Sequence, residues 1–329
     1  MLIPNNIPNN LYILGIDVSK DKLVVYDGTR WYEFKNEKNV PELSKLIKKK
    51  SDYSKTVLCY EPTGVYSKYL DHFSFEHKIK VLIVNPFRSS NFMKSQKTRS
   101  KNDKNDAKGL WKFAILDFEE VKDIVIEEDN EKLKRLIAYS ETLKQEEIKF
   151  LNIKKAIEYY EDIKKGYGYI QKDIDKFIED LRKARARVLK DIKAHIKSNK
   201  KMEKAEKYIK SITGVGDKIA PILLSFFMTY KNTSRTKITS LAGLDVIEKV
   251  SGKSVRGKKK ISKKGNRQVR AALFLSALVA IRHDKRMREL YNKLIEKGKA
   301  KKVAIVAVMR KILIISHSLY KNEQYYEMA

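Results

Sequence analysis

Apolar residues in the first third of the chain come in short blocks interrupted by polar turns. "LYILGIDVS" and "KLVVYDGTRWYEF" have the density and alternation of strands, with Asp27-Gly28 marking a hairpin turn. Pro41 opens a short helix. "KTVLCYEP" and "KVLIVNP" are apolar runs stopped by proline, the pattern of buried strands, and a helical stretch from Gly64 to about Glu76 separates them. The helix after "SKNDKNDA" presents one buried face through Ala107, Leu110, Trp111, Ala114, Ile115 and Phe118. A meander followed by crossover units predicts a mixed α/β sheet with helices packed on it over residues 1–118.

The pattern then changes period. No proline occurs between Pro86 and Pro221, and in residues 119–207 Lys and Glu dominate. Ile170, Ile174, Phe177, Leu181, Ala184 and Val188 alternate spacings of four and three, a heptad seam that an antiparallel hairpin or an intermolecular coiled coil would bury. Gly166 and Gly168 divide two long helices. Residues 208–329 open with "SITGVGDKIAPILLSF", where Gly214-Val215-Gly216 resembles a helix-hairpin-helix turn that brings backbone N–H groups up to a phosphate; an ordinary tight turn is the alternative. Amphipathic helices near 266–282, 284–297 and 300–320 follow, so this last region is expected to be all-helical.

Charge changes the picture. The 329 residues carry 71 Lys and Arg against 41 Asp and Glu, a formal charge of +30, which points to a polyanionic partner, nucleic acid ahead of a membrane surface. Between Ser251 and Arg270 there are nine basic residues and no acid: Lys253, Arg256, Lys258, Lys259, Lys260, Lys263, Lys264, Arg267 and Arg270. These are expected to hold backbone phosphates without reading bases, or else to form a solvated face. "VAIVAVMRKILIISHSLY" is broken by Arg310 and Lys311, is expected to fall short of the roughly 20 apolar residues of a spanning helix, and reads as a core helix. The opening residues lack a secretory signal pattern, and Cys59 is the single cysteine, which together point to a reducing cytoplasm.

Four acids are candidates for chemistry. Asp17 ends the first strand and Glu61 the fourth, and strand ends border ligand sites in sheets of this kind. Asp103 projects in line with the buried face of its helix and Asp106 lies about 60° to the side, so both can turn to the sheet. As capping residues they would be ordinary, with Asp103 the N-cap. If the four carboxylates converge, they require cations between them, and oxygen-only ligands beside a phosphate binder suit Mg2+ or Mn2+.

"GIDVSK" with Asp17, "YEPTGVY" with Glu61 and "KNDKNDA" with Asp103 and Asp106 resemble the DEDD tetrad of the one-ten class of bacterial insertion-sequence transposases. "ITGVGDKIAPILL", "LAGL", the Ser-Gly at Ser251 and "ISKKGNRQVRAAL" resemble the second domain of that class. The resemblance spans nearly the whole chain in order. It implies a ribonuclease-H-like domain similar to Holliday junction resolvases, a helical coiled-coil spacer, and a helical domain that contributes a nucleophilic serine. It also implies guidance by a structured noncoding bridge RNA that pairs with donor and target DNA. Two positions depart from the class: Asp245 and Val246 stand where a proline is usual, and Pro62 where a small residue is common.

Read on residues alone, Ser251 is either a flexible phosphate contact or a reactive hydroxyl. No GxSxG elbow surrounds it and the five histidines form no recognisable triad, so phosphoryl transfer suits it better than proteolysis. The expectation is a DNA recombinase acting through a phosphoserine–DNA ester, assembled by folding or as a dimer or tetramer, which the spacer favours. A metal-dependent resolvase or nuclease with Ser251 inert, and a non-catalytic nucleic-acid binder, are the alternatives.

Overall fold

The computed structural model describes residues 10–95, 102–248, 250, 251, 255, 256 and 260–327. The chain divides into two compact units, residues 1–127 and 128–329. In the first unit β1 (Tyr12–Val18), β2 (Lys22–Tyr26) and β3 (Trp31–Lys35) form an antiparallel meander. Helix α1 (Pro41–Lys50) leads to β4 (Thr56–Tyr60), α2 (Lys68–Glu76) to β5 (Lys80–Ile83), and α3 (Pro86–Ser95) precedes α4 (Asp103–Leu116). Strands β4 and β5 run parallel to β1, giving the order β3-β2-β1-β4-β5-β6. The edge strand β6 (Lys122–Asp123) pairs antiparallel with β5 and had no signal in the sequence, because two exposed polar residues carry no alternation.

The pleat sorts the core of this unit into two faces. Leu14, Ile16, Val18, Leu58 and Tyr60 pack against Leu43, Ile47, Leu70 and Phe73 of α1 and α2. Ile13, Val57, Cys59 and Leu82 point the other way, onto Leu110, Phe113 and Ala114 of α4. Gly15 belongs to that second face, and a Cβ there would run into the Ala107 carbonyl oxygen and the Trp111 backbone nitrogen. Its missing side chain lets α4 lie directly on β1.

The second unit begins with α5 (Glu128–Ile163) and α6 (Gly168–Ser198). Their pairing is antiparallel: Glu158 meets Gln171, Lys154 meets Asp175 at 2.6 Å, Glu147 meets Arg182 at 2.7 Å, and Asp129 accepts from Asn199 at 2.6 Å. The buried line on α6 runs Ile174, Ile178, Val188, Ile192 and Ile196. Phe177, expected in the seam, is 51% exposed and meets Phe150 with the rings tilted at 42°, while Ile178 at 4% takes the inward position. A helix at 3.6 residues per turn drifts off a strict heptad, which moves the buried line by one residue here.

Helices α7 (Lys200–Lys210), α8 (Ala220–Thr229), α9 (Arg235–Leu241), α10 (Arg267–His283), α11 (Lys285–Glu296) and α12 (Lys301–Asn322) close a core that includes Leu223, Phe227, Leu273, Ala277, Val308 and Ile312. Between α9 and α10 the expectation of an all-helical region is corrected. Four two-residue strands occur there: β7 (Val246–Ile247) pairs with β10 (Lys260–Ile261), and β8 (Val250–Ser251) with β9 (Val255–Arg256). Each carries a β-branched residue, and such residues fit a pleated ribbon. The segment expected to fall short of a membrane span is also corrected. As α12 it has 22 residues and is long and apolar enough to cross a bilayer by length and composition. Its Ala304, Val308, Ile312, Leu313 and Ser316 are buried, and it packs on α10, α11 and α7 as a core helix.

Two substitutions test this packing. Gly15→Ala forces backbone apart and should cost about 2–3 kcal/mol in denaturant unfolding. Ile178→Asp should cost about 3 kcal/mol, whereas Phe177→Asp should cost under about 1 kcal/mol; equal losses would mean that the heptad line, not the observed one, is buried.

Candidate catalytic site

Strand register places the first two acids. Ile16 of β1 is paired with Tyr60 of the parallel β4, so Asp17 and Glu61, one residue further on, stand at neighbouring strand ends. By alternation from Ile13 and Cys59, both belong to the sheet face that α4 covers. Glu61 Oε1 accepts a hydrogen bond from the hydroxyl of Ser89, a fully buried residue of α3 that also donates to the Pro86 carbonyl at 3.1 Å.

Helix α4 delivers the other two. Asn102, rather than Asp103, is its N-cap and accepts from the Asn105 N–H at 2.8 Å. Asp103 is thereby released from capping, and both Asp103 and Asp106 lie in the first turn, where the helix dipole favours negative charge. Several contacts fix this end of α4 over the meander. The Trp31 indole N–H donates to the Lys104 carbonyl at 3.2 Å, Tyr26 meets Trp111 edge-on at 5.6 Å, and the Lys108 ammonium lies 5.7 Å from the Trp31 ring centroid. Lys22 Nζ is 3.0 Å from Asp103 Oδ2 and 3.6 Å from Glu33 Oε2.

Asp17 registers the convergence. Burial, followed by the charges of Asp106, Asp103 and Glu61, pushes its carboxyl up to about 6, against a lesser opposing hydrogen bond from the Val18 backbone. The four acids singled out in the sequence therefore share one electrostatic environment. As placed, no group of three His, Cys, Asp or Glu among the described residues is close enough to hold a metal ion. Lys22 and Ser89 hold the outer carboxylates instead. Neither residue was found from sequence: Lys22 reads as an ordinary strand lysine, and nothing distinguishes Ser89 from Ser90 in "PFRSSNF".

The remaining candidates lie in the second unit. Gly214 has φ of 91°, and a Cβ on it would come within 2.5 Å of the Ser276 carbonyl on α10, so helix packing explains this glycine. Gly216 is exposed and its carbonyl accepts from Ile219 and Ala220 at the start of α8. Ser251 sits in β8 with Val255 as its register partner. Lys260, Lys263, Lys264 and Arg267 are exposed, whereas Arg270 donates to the Ala242 and Gly265 carbonyls at 3.0 and 2.9 Å. The Asp245 carboxylate, at the position that departs from the resembled class, accepts from the Ser262 hydroxyl. Lys253, Lys258 and Lys259 lie outside the described residues.

Because Asp17 in the folded chain titrates above its ordinary 3.8, its contribution to stability is fully present below about pH 4 and lost as pH rises through about 6. Asp17→Asn should therefore raise the stability of metal-free protein above pH 6 by on the order of 1 kcal/mol after solvent screening, and change nothing below pH 4. Thermal unfolding in chelator across this range checks it; a pH-independent difference would separate Asp17 from the other acids.

Comparison with known proteins covers both units. The DEDD transposase model of IS110 elements, described as a transposase, matches residues 14–157, and the model described as the transposase IS116/IS110/IS902 family matches residues 206–292. The pilin gene-inverting protein of Moraxella bovis is 27% identical over 326 residues, covering 94% of this chain and 96% of its own length. That of Moraxella lacunata is 27% identical over 321 residues with the same coverage. An uncharacterized 43.6 kDa protein of insertion element IS110 from Streptomyces coelicolor is 30% identical over 120 residues, 36% of this chain and 29% of its own. The mixed sheet is consistent with a ribonuclease-H-like DEDD domain. Both family matches and both full-length relatives agree: this chain belongs to the IS110 family of insertion-element transposases, which are DNA recombinases.

Proposed function

We propose that the protein cleaves and rejoins DNA strands through a Ser251 phosphoserine–DNA intermediate, with Asp17, Glu61, Asp103 and Asp106 as the metal-binding acids. The observation that carries the reading is the rise of Asp17 to about 6 through burial and the charges of the other three acids. Carboxylates so placed repel one another, and a divalent cation relieves that repulsion. An all-oxygen donor set fits Mg2+ or Mn2+, which when bound would supply Lewis-acid stabilisation of phosphoryl oxygens.

In the reaction the Ser251 hydroxyl loses its proton and its oxygen attacks a DNA phosphorus in line. A P–O bond to one deoxyribose breaks, and the departing sugar oxygen takes up a proton. The product keeps a phosphodiester, so a DNA hydroxyl can attack it in reverse, freeing Ser251 and joining a new strand without ATP. The full-length Moraxella relatives are named for inverting a gene, and inversion must rejoin every strand it breaks. Exposed Lys260, Lys263, Lys264 and Arg267 would neutralise phosphates, together with Lys253, Arg256, Lys258 and Lys259, and the Gly214–Gly216 turn would add backbone donors. Selection of donor and target DNA would rest on a structured noncoding RNA. Residues 1–118 would act as catalytic domain, 119–207 as spacer and 208–329 as serine domain, in a homo-oligomer on the bacterial nucleoid.

Ser251→Ala removes one oxygen and should abolish both adduct and strand exchange while folding and RNA binding persist. Labelled DNA, the element's flanking RNA and Mg2+, resolved by denaturing electrophoresis with peptide mapping, is the assay. Exchange persisting in Ser251→Ala, or an adduct on another residue, would overturn the serine assignment in favour of a water-using nuclease. Asp17→Asn should lose cleavage while retaining nucleic-acid affinity.

A further inference from the structure

The second unit contains a cleft of about 850 Å³ that meets the proposed phosphate contacts only at Arg267. It lies between the α5–α6 pair, the turn that opens α8, and the first turns of α10. Its apolar lining includes Ile137, Leu189, Ile219, Pro221, Ile222 and Leu275. Leu275 is 56% exposed, an apolar side chain at a place where a closed core would have covered it.

Charge is distributed unevenly around that lining. Lys190, Lys218 and Arg267 line the cleft and make no ion pair among the described residues. The acids of the cleft are better matched: Asp217 pairs with Lys210 and lies 3.7 Å from Lys193, and Glu141 lies 3.7 Å from Lys144. Burial, with a smaller push from Asp217, raises the carboxyl of Glu206 against the pull of Lys210 and Lys193. Arg185 also lines the cleft; a terminal guanidinium nitrogen lies 3.9 Å from Glu147, while its Nε–H is buried with no hydrogen-bond partner among the described residues. A buried donor of that kind calls for an acceptor.

An occupant must therefore combine a compact apolar body with nearby negative charge and hydrogen-bond acceptors. A nucleotide has these properties, since the faces of its base are apolar, its edges accept hydrogen bonds and its phosphate is anionic. Within a duplex the base faces are stacked and only the backbone meets a protein surface of this kind, so the base must be unpaired to reach the apolar lining. Strand exchange by a DNA recombinase takes a strand out of its duplex. We infer that this cleft binds an unpaired nucleotide of single-stranded DNA, with the base against Leu189, Ile219, Ile222 and Leu275 and the flanking phosphates on Lys190, Lys218 and Arg267. Arg267 also belongs to the basic stretch that follows Ser251 in sequence, so the cleft continues the surface proposed to carry phosphates.

The inference depends on the recombinase reading only for its choice of DNA, and its test needs no cleavage. Full-length protein in chelator is titrated with a single-stranded oligodeoxynucleotide carrying 2-aminopurine at successive positions, with the duplex form, and with RNA of the same sequence. Lys190→Ala combined with Lys218→Ala, and separately Leu275→Glu, alter exposed side chains, and circular dichroism melts check their folding. The expected result is about a tenfold loss of single-strand affinity in each variant, less than about twofold loss for duplex, and a 2-aminopurine emission change that Leu275→Glu removes. Equal losses for duplex and single strand, an absent emission change in the parent protein, or tighter binding of the RNA would overturn the inference. A missing Ser251 adduct would refute the serine chemistry and leave these affinities as they are.

Discussion

The acid site depends on how closely one helix can approach one strand. Helix α4 lies on β1 without a side chain between them at Gly15, and two residues later the same face of β1 presents Asp17. A Cβ at residue 15 would lift the helix from the strand, and the first turn of α4, with Asp103 and Asp106, would rise with it. Parallel register supplies the other half of the constraint, because the Ile16–Tyr60 pairing sets Glu61 beside Asp17 without any loop having to find it. Three acids thus come from rigid elements and one from a strand's immediate continuation, the arrangement that holds a reactive geometry most tightly.

That geometry has an electrostatic cost which the fold distributes. Lys22 reaches Asp103 from β2, and Ser89 donates to Glu61 from within the protein. Asp17, half-buried beside the charges of the other three, is harder to ionise, and its carboxyl is pushed up to about 6. Groups perturbed by burial and by a set of like charges are characteristic of working sites, whereas acids retained only to cap a helix or close a turn are normally relieved by solvent. Asn102 strengthens the point: by capping α4 it leaves the two aspartates of the first turn available for something else.

Much of the first unit could be read from the chain because each of its signals is local. Strand-stopping prolines at Pro62 and Pro86, the Asp27-Gly28 turn and the apolar face of α4 each act within a few residues, and together they set the order of elements. The four acids were legible for the same reason, lying at strand ends and a helix start. Lys22 and Ser89 were not, because their importance comes from pairing across the sheet and from an adjacent helix. The buried line of α6 was displaced by one position at Phe177 and Ile178, where seven-residue spacing and helical geometry disagree. The strands flanking Ser251 were missed because two-residue pairs are too short to show alternation.

The two glycines of the Gly214–Gly216 turn illustrate how the same sequence signal divides into separate physical roles. Gly214 is required by a positive φ and by the Ser276 carbonyl against it, which is reason enough for a glycine whatever the turn binds. Gly216 has open space where its Cβ would be and meets neither requirement. The phosphate role proposed for the turn therefore rests on its exposed side at Gly216 and Lys218, and Lys218 is also one of the three cations around the cleft. The turn and the cleft are then parts of one surface. Its backbone and its lysine would meet the phosphates of a strand, and the apolar side chains behind them would meet a base.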